Sequence, residues 1–392
     1  MLLIFFCPAK KLTAQQISPK LLWKYSIQSP IIGSPIADDS CIYFGSTNGV
    51  VYSLNKTGSL KWKFVTGAPI RSTPCFNKEK IYVLSGDGNV YCINKSSGKM
   101  IWYFQSLTGF IGDTQHDFAD YYQSSPTLYK DALFFGSGDG NIYSIDANTG
   151  SLNWKYATGG NVHTMPAVSG NKVFAGSFDG SLYALNSNNG ELLWKFKSVG
   201  QLYFPKGEMT GSPVVAGGLV FAGSRDFNFY ALDMNGGYCH WMKSFVKGWA
   251  LPVTLNDSVI YLGTSEDRSI AALDIQTGNV KWQTNVPFNI FGGCAVKKNV
   301  GCFGTLMGKV YGIDLTTGTI KWEYNTEGYT QNHLDYFKAD DSYRDDIGTI
   351  VSTPDKIVNF YNRVGAVFST PVFVGNSVIF TSSDGNVYCL GI

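Results

Sequence analysis

The chain has 392 residues, of which 44% are hydrophobic and only 15% charged, with 31 Lys and Arg against 29 Asp and Glu. So even a balance leaves no basic surplus for phosphate backbones or anionic lipid, which argues against nucleic-acid binding. The only long apolar run, at the start, is too short to cross a bilayer.

Residues 1–14, MLLIFFCPAKKLTA, read as a shortened secretory signal, with Leu12-Thr13-Ala14 offering a cleavage site before Gln15. The expected location is therefore periplasmic or extracellular. Cys7 follows Phe5-Phe6 rather than the small residues that lipoprotein processing needs, which argues against a lipid anchor and leaves the lipid-anchored and soluble forms both open. Residues 21–27 then form an isolated strand around Trp23.

From there a unit of about 40 residues recurs eight times, so that eight of the nine tryptophans share one position: Trp23, Trp62, Trp102, Trp154, Trp194, Trp241, Trp282 and Trp322. In SPTLYKDALFFGSGDGNIYSIDANTGSLNW, the copy ending at Trp154, Ser-Pro opens a first strand. Gly138-Asp139-Gly140 and Asn148-Thr149-Gly150 turn the chain between later ones. Each unit reads as a four-stranded antiparallel sheet. Proline opens the first strand at Pro35, Pro74, Pro126, Pro166, Pro213, Pro252 and Pro371, with Cys294 in the seventh unit. A small residue recurs in the third strand at Ser53, Cys92, Ser144, Ala184, Ala231, Ala272, Gly312 and Cys389, as expected for sheets packed face to face. The last unit lacks its tryptophan strand and the chain opens with an extra one. Pairing the two closes a single ring, an eight-bladed β-propeller with no free sheet edge, spanning residues 15–392.

The strings FAGSFDGSLYALNSNNGELLW and FGTLMGKVYGIDLTTGTIKW resemble the repeat of the quinoprotein-type propellers, named for pyrroloquinoline quinone. That family includes quinone-dependent dehydrogenases and the outer-membrane assembly lipoprotein of Gram-negative bacteria. The resemblance implies the propeller and leaves the activity open.

From tryptophan to the next proline position the spacing is 11 or 12 residues, except at 102–126, 194–213 and 322–371. These insertions, at about 105–123, 199–211 and 326–368, fall in one kind of connection, from the outer strand of one blade to the inner strand of the next. They are therefore expected on one face, the third being long enough for a lid or small helix. Loops on a rigid scaffold commonly carry function. The insertions supply His116, Asp117, Tyr121, Tyr203, Phe204, His333, Tyr336 and Arg344 as candidate contacts for a protein or glycan partner.

Three residues before each proline position the chain should look into the channel mouth. Arg71, His163 and Trp249 are the candidate ligand contacts there, because an indole beside a guanidinium suits a planar anion. No metal site is expected, since the histidines come from different crossovers, and Asp340, Asp341, Asp345 and Asp346 read as a solvated face. Cys294 and Cys302 are spaced to face each other across a hairpin, where a disulfide is open. Cys92 and Cys389 read as small buried hydrophobes.

Signatures of nucleophilic, phosphate-binding or zinc catalysis are absent. The expected protein is a monomeric, non-catalytic binding propeller without a cofactor. The alternative implied by the resemblance is a dehydrogenase with pyrroloquinoline quinone and calcium at the channel mouth. Against it, the chain lacks the adjacent cysteine pair typical of those enzymes.

Overall fold

In the computed structural model, which describes residues 18–106 and 124–392, short apolar runs broken by glycine turns form eight four-stranded antiparallel sheets arranged as blades. Blade 1 is Ile36–Ala37, Cys41–Gly45, Val50–Asn55 and Leu60–Val65, and the same order repeats through blade 7, which ends with Ile320–Asn325. Second and third strands are buried on both sides, whereas fourth strands, such as Leu152–Ala157, alternate between buried and exposed positions. That pattern belongs to a sheet squeezed between neighbours with only its outer edge in water. The hydrophobic clusters accordingly lie between consecutive blades, for example Tyr82, Cys92, Leu133 and Tyr143 between blades 2 and 3.

Blade 8 joins both ends of the described chain. Lys20–Ser26 pairs antiparallel with Asn386–Gly391, setting Trp23 opposite Cys389, and the sheet continues through Ser377–Thr381 to Val372–Val374.

Each repeated tryptophan reaches into the following blade. The Trp154 Nε1–H donates to the Ser187 carbonyl at 3.0 Å, and Trp23, Trp62, Trp194, Trp241 and Trp282 do the same one blade further on. The glycine four residues before the next tryptophan lies against the ring: a Cβ on Gly190 would stand 2.7 Å from the indole of Trp154. Gly190 also has φ of 73°, so its turn needs glycine twice over. The small column has a more specific cause than sheet packing. Each of its members is the cross-strand partner of a tryptophan, as Ser144 is of Trp154 and Ala184 of Trp194, so a larger side chain would displace the indole.

The cysteine pair is corrected by the register. Ala295, not Cys294, stands opposite Cys302, and side chains one residue apart on a strand point to opposite faces. Cys294 therefore packs between blades 6 and 7 and Cys302 between blades 7 and 8, and both are free thiols. Burial pushes the Cys294 thiol up to about 12 and the Cys302 thiol well above the usual range, so neither ionises readily.

Candidate binding face and channel mouth

The turns between second and third strands share a face with the crossovers, because the backbones are tied. Phe178 N–H donates to the Asn161 carbonyl, Arg225 N–H to Glu208, Leu306 N–H to Asn289 and Ser383 N–H to Ala366. Both described insertions stand on this face. The first insertion, with His116, Asp117 and Tyr121, lies outside the described residues.

A central cavity of about 500 Å³ is lined by residues in, or just before, the inner strands of all eight blades, and Arg71 and His163 are among its walls. Hydroxyls bridge five of the eight seams between blades around it. Ser34 N–H donates to Thr73 Oγ1, Thr73 N–H to Ser125 Oγ, Met165 N–H to Ser212 Oγ, Gly293 N–H to Thr370 Oγ1, and Thr370 N–H to Ser34 Oγ, all at 2.7–3.1 Å. These bonds give the Ser/Thr-Pro pair its purpose, which the spacing of prolines alone did not reveal. The proline opens the strand, and the hydroxyl before it satisfies the neighbouring blade's N–H.

Trp249 is not on the wall of this cavity. It lines a second one of about 280 Å³ with Phe204, Phe227, Lys247, Ser265, Glu266, Asn289, Phe291, Leu306, Tyr361 and Phe368. The guanidinium over its ring is that of Arg225, 4.9 Å from the ring centre, and Phe204 meets the indole edge-on at 5.5 Å. Arg225 also lies 5.2 Å from the Phe178 ring and 5.6 Å from the Phe204 ring. Sequence reasoning passed over Arg225, although its turn, Ser224-Arg225-Asp226-Phe227, departs visibly from the Ser-Gly-Asp-Gly of blades 2 and 3.

The third insertion folds into helices α1 (Glu327–Tyr336), α2 (Ile347–Ile350) and α3 (Pro354–Val364). Thr326 caps α1 by accepting from Tyr329 N–H, Thr353 caps α3 by accepting from Lys356 N–H, and Gly365 ends α3 at φ 67°. The blade 8 turn completes the α1 terminus: Tyr388 Oη accepts from Glu327 N–H at 2.9 Å, and the Asp384 carboxylate accepts from Gly328 N–H at 3.1 Å. Asp341 fastens the insertion from the other side. Lys309 Nζ of blade 7 donates to it at 2.6 Å, Tyr329 Oη donates at 2.5 Å, and His333 Nε2 lies 3.1 Å away.

The acidic run is therefore not simply a solvated face. Asp341 is largely buried in that network, while Asp345 pairs with Lys338 and Asp346 with Arg344. Tyr336, 3% exposed, packs with Phe337 and Phe360 in a core that the insertion shares with Phe288, Leu306 and Met307 of the blades beneath, and offers a partner nothing. His333 lies between the rings of Tyr329 and Phe337, and Phe204 packs on Phe227 and Trp249. Arg344 and Tyr203 remain at the surface.

Exposed apolar residues gather around the Arg225 turn. Val199, Leu202, Tyr203 and Val246 are 72, 85, 76 and 80% exposed. The two segments carrying them flank that turn, since Gly200 N–H donates to Asp226 Oδ2 and Phe245 N–H to the Phe227 carbonyl.

The quinone alternative fits these residues poorly. Among the described residues no three His, Cys, Asp or Glu side chains stand together, and the cavity that Trp249 lines, about 280 Å³, is small for a three-ring quinone with its calcium ion. No step through a quinone is derived.

A family model described as outer membrane protein assembly factor BamB matches residues 12–112, 115–204 and 187–337. Among solved structures, BamB from Moraxella catarrhalis is 17% identical with a TM-score of 0.68, the match covering 96% of this chain and 98% of that one. A quinohemoprotein alcohol dehydrogenase from Comamonas testosteroni is 14% identical with a TM-score of 0.68, over 95% of this chain and 76% of that one. A europium-containing methanol dehydrogenase is 12% identical with a TM-score of 0.69, over 95% and 93%. These likenesses show the shared propeller fold. No curated protein matches the chain significantly.

Proposed function

The chain belongs to the family of the outer membrane protein assembly factor BamB, and on that premise we propose that it is a non-catalytic binding propeller of the cell envelope that holds a protein partner on its insertion-bearing face. The observation that carries this is the apolar patch of Val199, Leu202, Tyr203 and Val246. Clustered large apolar side chains in water mark an interaction surface, whereas scattered ones do not. The scaffold beneath is rigid, so the loops meet a partner already ordered and little conformational freedom is lost on binding. No helix of the described residues is long and apolar enough to cross a membrane, and the export expected from residues 1–14 is part of the same reading.

Site-specific photocrosslinking in the native host tests it. A benzoylphenylalanine at position 202, 203 or 246 is expected to give one discrete protein adduct. The same group at Asn148 or Thr277, in turns on the opposite face, is expected to give none. Equal labelling from both faces, or no adduct from the patch, refutes the reading.

A further inference from the structure

The 280 Å³ cavity beside the apolar patch carries polar chemistry that the propeller does not need for its own packing. We infer that it is a small-ligand site for one pyranose ring, so that the proposed binding face also holds a sugar residue. This rests on reading that face as a binding face and names a further occupant of it.

Four observations converge. The walls are aromatic, with Phe204, Phe227, Trp249, Phe291, Tyr361 and Phe368 among them. Flat rings offer the apolar C–H face of a pyranose a platform and leave its hydroxyls free to bond at the edges. Asn289, only 6% exposed, lines the cavity and donates through Nδ2 to Glu266 Oε1 at 2.8 Å, which fixes its amide orientation. Its Oδ1 then has no hydrogen-bond partner. A buried acceptor left unpaired costs stability unless something donates to it.

The rim is mixed in character. Glu266 accepts, Lys247 donates, and their charges balance, which favours a neutral polyol over an ammonium or a phosphate. A hydroxyl carries one donor and two acceptor sites, so two neighbouring hydroxyls of one ring are enough to donate to Glu266 and to Asn289 Oδ1 and to accept from Lys247.

The backbone is also unusual at this place. The glycine position of the turn between second and third strands has φ of 77–83° at Gly49, Gly88, Gly140 and Gly180. In blades 5 and 6 Phe227 and Arg268 occupy it at 67° and 48°. Bulky side chains held in left-handed conformations are strained, and such strain collects at functional sites. Phe227 uses that geometry to form part of the cavity wall. Arg225, over the Trp249 and Phe204 rings, braces two of the other walls.

The size limits the ligand. Pockets for drug-sized molecules begin at roughly 300 Å³, so this one takes a single ring, and the affinity of so small a ligand is on the order of millimolar.

The test labels the full chain with 5-fluorotryptophan and follows the fluorine resonances while titrating methyl pyranosides of glucose, galactose, mannose and N-acetylglucosamine. Trp249→Phe assigns the resonance of interest. The expected result is a saturable shift of that resonance with at least one glycoside, weakened roughly tenfold by Glu266→Gln, an exposed change compatible with folding, and by Asn289→Leu. No shift with any glycoside up to about 100 mM, well above the expected affinity, overturns the inference. So does a shift indifferent to both substitutions. N-acetyl-arginine amide, titrated in parallel, covers the case of a protein side chain: a response to it alone also overturns the sugar assignment. Crosslinking from positions 202 and 246 reads the protein partner separately, so sugar binding can fail while that reading stands, and the reverse.

Discussion

Trp102 breaks the hydrogen-bond pattern of its column. Its Nε1–H is buried without an acceptor, and the carbonyl at the equivalent position, that of Ala147, accepts instead from Tyr82 Oη at 3.0 Å. Trp154 in the next blade has its acceptor in Ser187. Substitution by phenylalanine separates ring packing from hydrogen bonding. Trp154→Phe strands the Ser187 carbonyl, whereas Trp102→Phe removes an orphaned donor, so the former should be more destabilising by about 1 kcal/mol in chemical denaturation. Equal losses would show that the bond contributes nothing. The tryptophan column was plain in the sequence. Its bonds were not, because the acceptor lies 33 residues away in the neighbouring blade.

Among elements, the helical insertion shows how one carboxylate holds a long excursion in place. Burial on its own raises the Asp341 carboxyl, but hydrogen bonds from Lys309 and Tyr329 and the charge of Lys309 outweigh it and hold the carboxyl below its ordinary value. A carboxyl whose folded value lies below its unfolded one stabilises the docked state fully above about pH 4 and ceases to do so as pH falls through the lower, folded value. Docking of α1 and α3 should therefore loosen in that acid window, before the blades unfold. Asp341→Asn should bring the loosening to neutral pH, weakening docking by roughly 2 kcal/mol. Limited proteolysis across residues 338–346 measures this, and cleavage unchanged by the substitution would contradict it. The acidic and aromatic composition of 326–368 was legible early. The fate of each residue was not: Tyr336 and His333 turned inward because α1 packs against α3 and the blade 7 turn.

For the molecule as a whole, the strand Lys20–Ser26 is the one element that joins the ends. Without it Asn386–Gly391 becomes an open edge, and the Gly58 turn of blade 1 loses the indole of Trp23 that covers it. A chain beginning at residue 28 should lose its single cooperative melting transition and associate through the exposed strand. Light scattering and calorimetry would detect both, and a monomer with unchanged melting would argue that the other blades hold the ring alone.

Local chemistry explains why so much of the architecture could be read in advance. A turn needs its glycine, a strand its alternation and an indole its small neighbour, and each requirement repeats every 40 residues or so until the ring is full. The binding face follows other rules. Arg225 met Trp249 rather than Arg71 doing so, Cys294 and Cys302 turned to different interfaces, and Asn289 kept an unpaired oxygen beside a cavity built from several crossovers and turns. Those relations join residues from separate repeats, and separation along the chain carries no record of which of them come within a few ångströms once the blades close.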